Sequence, residues 1–162
     1  MGRNVTEPDE ILWIAPSDVV PLTGDETFGD SGLNVRDFWT WGYSDLRSNV
    51  DRGVLAEYLV ARAVGEARPT RQNWDTYDVT APDETKIEVK SSAYLQSWEQ
   101  KKLSDIKFGD LKSKAIDPET RESDEKASYQ ADVYVFAVHT CQKPDEYDML
   151  DLSFWEFYVL PQ

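Results

Sequence analysis

The chain has 162 residues, 40% hydrophobic and 12% aromatic, enough to bury the core of one compact domain and too apolar for a wholly disordered polymer. Its 31 Asp and Glu against 17 Lys and Arg give a formal charge of -14, a field that repels phosphate backbones and argues against a non-specific nucleic-acid coat, though not against a nucleic-acid enzyme with local basic contacts or bound metal. A single cysteine, Cys141, excludes an internal disulfide, a single histidine, His139, excludes a histidine-rich metal site, and no apolar run approaches the ~18 residues of a membrane span, so the expectation is a soluble, cytoplasmic protein with no membrane partner.

Residues 1–49 contain Pro8, Pro16, Pro21, Gly24, Gly29, Gly32 and Gly42 around one short apolar run, Ile11 to Ala15. This composition predicts an arm that wraps the body rather than a second domain. Trp13, Phe28, Phe38, Trp39, Trp41 and Tyr43 are expected to pin that arm by apolar burial. An aromatic platform for nucleic-acid bases is the weaker reading, because basic residues scarcely interleave with the rings.

The core is expected over 50–162. Asn49 or Asp51 caps a helix from about residue 50 to Ala63, which Gly65 and Pro69 help to end. Val54, Leu55, Tyr58, Leu59 and Ala61 fall on one side of it and predict its packing face. Strands follow at Trp74 to Val79 and Thr85 to Ser91, joined as a hairpin by Ala81 to Glu84. Beyond Trp98 lies the one locally basic segment, where Lys101, Lys102, Lys107, Lys112 and Lys114 face Asp105 and Asp110. It is either a source of phosphate contacts or a solvated helix face. Asp117 to Lys126 is polar and predicts an exposed loop, Ala131 to Thr140 a buried central strand, and Trp155 to Leu160 a further strand. That order indicates a mixed α/β domain on one sheet. The apolar strand at the very end suggests a longer protein cut at its C-terminus.

Strand alternation puts Lys86, Glu88 and Lys90 on one face and Ile87 and Val89 on the other. Hairpin pairing brings the end of the preceding strand, and a second carboxylate, beside Glu88. Two such carboxylates repel unless a hard cation such as Mg²⁺ sits between them. Asp75 and Asp78 both qualify, but three positions apart they point to opposite faces, so only one joins Glu88, and alternation does not say which. Glu57 adds a third acid: Gly53, Val54, Val60 and Ala61 occupy its i±3 and i±4 positions, so no basic partner exists within the helix, and it is expected to aim at the same cation. The bland alternative is a solvated Glu/Lys face on the sheet.

Glu57 within "GVLAEYLVARAVG", Asp78 within "WDTYDV" and Glu88 to Lys90 within "IEVKSS" resemble the active-site pattern of the PD-(D/E)XK nuclease superfamily, the restriction-endonuclease-like fold. No proline precedes Asp78, and residues before 50 lie outside the resemblance. It implies a mixed central sheet flanked by helices and a Mg²⁺-dependent nuclease, with Mn²⁺ as substitute, acting on nucleic acid, DNA first, in a restriction, repair or mobile-element setting. It implies Asp78 and Glu88 as metal ligands, Glu57 as an auxiliary ligand, and Lys90 as the group that orients water and steadies the phosphate. Asp78 is favoured over Asp75 by the Val79 that follows it. Ser91 and Gln96 are auxiliary candidates, and Lys101, Lys102 and Lys107 candidate phosphate contacts. Given the net acidity, another subunit or the missing C-terminal part is the expected source of further DNA affinity, and the partner expected beside nucleic acid is a partner subunit or a second copy in a homodimer. From a different class comes the alternative of a non-catalytic acidic protein on the same fold, mimicking nucleic acid. A small phosphate-ester hydrolase finds no support, because the GxxxxGK[ST] loop is absent. His139 reads as a satisfied core or strand-end histidine and Cys141 as a buried or loop thiol.

Overall fold

The computed structural model describes residues 19–73, 76–109, 111–114 and 125–162. The elements in chain order are α1 (Val35–Tyr43), α2 (Asn49–Val64), β1 (Val79–Thr80), β2 (Lys86–Ala93), β3 (Val133–His139) and β4 (Trp155–Pro161). They form a mixed α/β unit around one four-stranded sheet of order β1-β2-β3-β4. β1 and β2 run antiparallel, β2 and β3 parallel, and β3 and β4 antiparallel. The parallel step requires a crossover, supplied by the long connection between β2 and β3.

α2 starts at Ser48, whose hydroxyl accepts from Asp51 N at 3.1 Å. The cap therefore lies just ahead of the expected Asn49 or Asp51, because the Ser48 hydroxyl takes the orphan Asp51 amide and itself donates to the Asp51 carboxylate at 2.6 Å. Its end is as expected: Gly65 takes the left-handed conformation at φ 77°, closing the last turn onto Ala61 O.

The packing face of α2 differs from the expected stripe. Ala56, Val60 and Ala61 are buried and Leu55 and Leu59 flank them, whereas Val54 and Tyr58 are exposed. Small alanines let the helix lie close to the sheet, and the core closes against Val79, Ile87, Val89, Val135, Ala137 and Trp155. Each fully buried Val or Ile here contributes about 1.5–3 kcal/mol.

The sheet register sorts the strands into two faces. Val89 pairs with Val135 and Val135 with Val159 on the α2 side. On the reverse side Glu88 pairs with Tyr134 and Lys90 with Phe136. The crossover covers part of that reverse face, with Phe108 against Phe136 at 4.8 Å between centroids and Tyr134 Oη donating to Leu111 O at 3.0 Å.

Ahead of α2, the described aromatics do not show the apolar burial expected of them. α1 is a nine-residue helix held by a reciprocal cap, Asn34 with Asp37. Phe28, Phe38, Trp39, Trp41 and Tyr43 remain exposed, Trp41 by 86%. Three of them pack edge-to-face, Phe38 with Phe28 and with Tyr43, and Trp39 lies over Gly24. Trp13 lies outside the described residues. No helix among the described residues is long and apolar enough to cross a membrane.

Candidate active site

The site is built where β1 fails to continue. The expected strand starts at Trp74, which lies outside the described residues with Asp75; among the described residues regular pairing holds only for Val79 with Ile87 and Thr80 with Lys86. The reason is Asp78. Its amide donates to Ile87 O at 3.0 Å, but its carboxylate Oδ2 takes the Val89 amide at 2.8 Å, and its carbonyl accepts from Arg68 Nη2 at 2.9 Å. A side chain thus replaces main chain in the ladder. The carboxylate is thereby fixed against the Glu88-Val89-Lys90 backbone; the competing Asp75 lies outside the described residues.

Glu88 and Lys90 stand two apart on the same face of β2, and Lys90 Nζ lies 2.7 Å from Glu88 Oε1. Both are partly buried, with Glu88 the more enclosed. Burial works to lower the Lys90 pKa, but the hydrogen bond and charge of Glu88, with Asp78, outweigh it, so Lys90 is held protonated. Asp78 shows the opposite balance. Burial raises its pKa first, Glu57 and Glu88 add to the rise, and the Val89 amide and Lys90 only partly oppose it, leaving it at about 6.

Glu57 is not aimed at a cation site unaccompanied, as the sequence suggested. Arg71, from the loop after α2, grips it in a fork: Nη2 donates to Oε1 at 2.9 Å and Nε to Oε2. Arg71 Nη1 also donates to Asn73. The Glu57 side chain is only 12% exposed, so an acid without this partner would carry a heavy desolvation cost. The helix offers Glu57 no basic partner of its own, and the partner comes from 14 residues on.

Glu57, Asp78, Glu88 and Lys90 therefore share one electrostatic neighbourhood, centred on Asp78. The auxiliary candidates do not join it. Ser91 falls on the α2 side by alternation, with Oγ 4.0 Å from where a Cβ on Gly53 would sit. Gln96 serves buried Arg52, accepting from its Nη1 at 3.2 Å. Lys107 pairs with Asp105 at 3.0 Å, and Lys101 and Lys102 are exposed, in a segment that is not helical. None of these makes a hydrogen bond or ion pair to the four-residue group.

Arg68 and Arg71 are the residues the sequence reading missed. With Glu57, Asp78, Arg62 and Tyr58 they line a cleft of about 190 Å³ between α2 and the loop that follows it. Their signal was present in "ARPTRQ", a basic loop set between the helical Glu and the strand Asp.

Among the described residues no three carboxylate, imidazole or thiolate groups gather closely enough to enclose a metal ion. Mg²⁺ does not demand three; it is commonly held by one or two carboxylates plus water and substrate phosphate oxygens. Asp78 Oδ1 and Glu88 Oε2 have no hydrogen-bond partner among the described residues, so the donor set suits a hard cation. Comparison with family models, with curated proteins and with solved structures finds no match to this chain. The functional reading therefore stands on the geometry of the site.

Proposed function

We propose that the chain is a divalent-metal-dependent phosphodiesterase that cleaves nucleic acid, with DNA as the first substrate to test. The observation that carries this reading is the half-buried Asp78 carboxylate, clamped to the Val89 amide beside the Glu88 and Lys90 pair. A stable fold gains nothing from gathering like charges in a partly desolvated spot; a metal-assisted site requires it. The mixed sheet with α2 ahead of the hairpin agrees with a restriction-endonuclease-like arrangement.

Asp78 and Glu88 would hold Mg²⁺ or Mn²⁺ through the oxygens not already engaged. When bound, the ion polarises the phosphoryl oxygens and lowers the pKa of a coordinated water. Lys90, kept protonated beside Glu88, places a compact positive charge where the phosphate gains negative charge during displacement. Asp78 is oriented by main chain and so needs no reorganisation on loading. The cleft brings Arg62, Arg68 and Arg71 together with Glu57, Glu66 and Asp78, a balanced lining in a molecule that is otherwise strongly acidic.

Two measurements test the reading together. Calorimetric titration with Mn²⁺ is expected to show binding by the parent and none by Asp78→Ala. Glu88→Ala and Lys90→Ala are each expected to lower Mg²⁺-supported DNA cleavage by about 10³-fold while far-UV circular dichroism is unchanged. Cleavage at parental rates by both variants would overturn the assignment, and a parent that binds no Mn²⁺ would favour the acidic mimic.

A further inference from the structure

Arg71 occupies a place that the metal-dependent reading leaves unexplained. It grips Glu57 through two nitrogens, it lines the same cleft as Asp78, and the Asp78 charge acts on it as well. Glu57, Asp78 and Glu88 supply three potential negative charges, and Lys90 and Arg71 supply two positive ones. With all three acids ionised the neighbourhood has one negative charge in excess. A divalent cation reverses that balance and makes the second organic cation redundant.

We propose that Arg71 is a built-in counter-ion that competes with the divalent cation for Glu57, and that cation binding frees its guanidinium to face a phosphate of the substrate in the cleft. This rests on the metal-dependent reading of the site. Arg71 is suited to the exchange. The fork geometry that fits a carboxylate fits a phosphate equally, so the group passes from one anion to another without loss of its hydrogen bonds. Its side chain is 38% exposed, so it can turn toward the cleft without leaving a packed interior. Arg71 is thus a positioning residue for Glu57 in the resting protein and a phosphate contact in the loaded one.

The test is Mn²⁺ affinity by calorimetry, without substrate, for the parent, Arg71→Gln, Arg71→Lys, Glu57→Gln and the Arg71→Gln/Glu57→Gln double variant, each checked for a parental thermal transition. Arg71→Gln is expected to bind Mn²⁺ about tenfold more tightly, because its competitor is gone, and Arg71→Lys to lie between the two. In the Glu57→Gln background the Arg71→Gln substitution is expected to change nothing, since its effect runs through Glu57. The same Arg71→Gln protein is expected to raise KM for DNA. Unchanged or weaker Mn²⁺ binding by Arg71→Gln, or an equal gain in the Glu57→Gln background, would overturn the competition. Because the parent titration separately reports whether Asp78 and Glu88 bind the ion, a failed Arg71 result beside a normal parent leaves the metal site standing. A parent that binds no Mn²⁺ removes both.

Discussion

Two partly buried polar regions lie at opposite ends of the sheet, and they solve the same problem in opposite ways. At the far end, His139 and Arg52 are buried. His139 Nε2 meets Asp148 O at 3.1 Å, and its ring sits among Tyr147, Phe154 and Trp155. Arg52 donates to Asn49 Oδ1 at 2.6 Å, Gln96 Oε1 at 3.2 Å and Arg47 O at 3.3 Å. The acceptors that reach them are uncharged, although Arg52 Nε and His139 Nδ1 are buried with no hydrogen-bond partner among the described residues, and burial lowers the pKa of each. At the near end, by contrast, Asp78 is surrounded by charges, two of them of its own sign. Uncharged acceptors and packed rings hold a structure even where a donor is left over; like charge held in place keeps an appetite for a ligand. That difference separates a structural polar cluster from a chemical one.

The sharpest way to break the comparison is activity. Glu88→Ala and Lys90→Ala are expected to lose about 10³-fold in cleavage, whereas Arg52→Ala is expected to retain the parental kcat at a temperature where it is folded. Stability should reverse the order. Arg52→Ala leaves three acceptors without a donor and is expected to cost about 2–3 kcal/mol in urea unfolding, with Mn²⁺ affinity unchanged.

A smaller effect comes from Asp78→Asn. The Asn carbonyl oxygen still accepts from the Val89 amide, and the repulsion from Glu57 and Glu88 is gone. A gain of about 1–2 kcal/mol at neutral pH is expected, together with loss of Mn²⁺ binding. The pH profile fixes the sign. The folded Asp78 pKa of about 6 lies above the ordinary 3.8, so between these values the folded state holds more protons than the unfolded one. Its contribution to stability therefore falls as pH rises from about 4 to 6, and Asp78→Asn should flatten that fall. His139 acts in the other sense. Its folded pKa lies below the ordinary 6.5, so stability is lost as pH drops beneath that value, and the loss should persist in Asp78→Asn. The smallest change is expected from Ser91→Ala, within about 0.5 kcal/mol in stability and twofold in cleavage, because that hydroxyl lies on the α2 side.

Much of the body was legible in the sequence. The helix, the hairpin with its turn at Ala81 to Glu84, and the strands at Val133–His139 and Trp155–Pro161 follow from period and turn chemistry. The E-x-K pattern and the helical Glu were legible because alternation and helical spacing fix where those side chains point. Three features were not. The packing face of α2 runs through Ala56 and Val60 because a helix meets a flat sheet most closely through small residues, and hydrophobicity alone favoured Tyr58 and Val54. α1 was hidden by Gly42 and its run of aromatics, although Asn34 and Asp37 carried its capping signal. Arg71 was invisible as a partner because the pairing depends on how the loop after α2 folds back, which neither period nor spacing encodes.

Among the described residues β4 is the edge of the sheet, and Phe157, Tyr158, Val159 and Leu160 along it are each 42% exposed or more. An open row of amides beside apolar side chains is a template for edge-to-edge adhesion. What opposes it is the charge of -14, which makes copies repel in dilute buffer. Colloidal behaviour should follow from this pairing: clear concentrated stocks at neutral pH and low ionic strength, and turbidity on approaching the isoelectric point near 4.4 or on screening with molar salt.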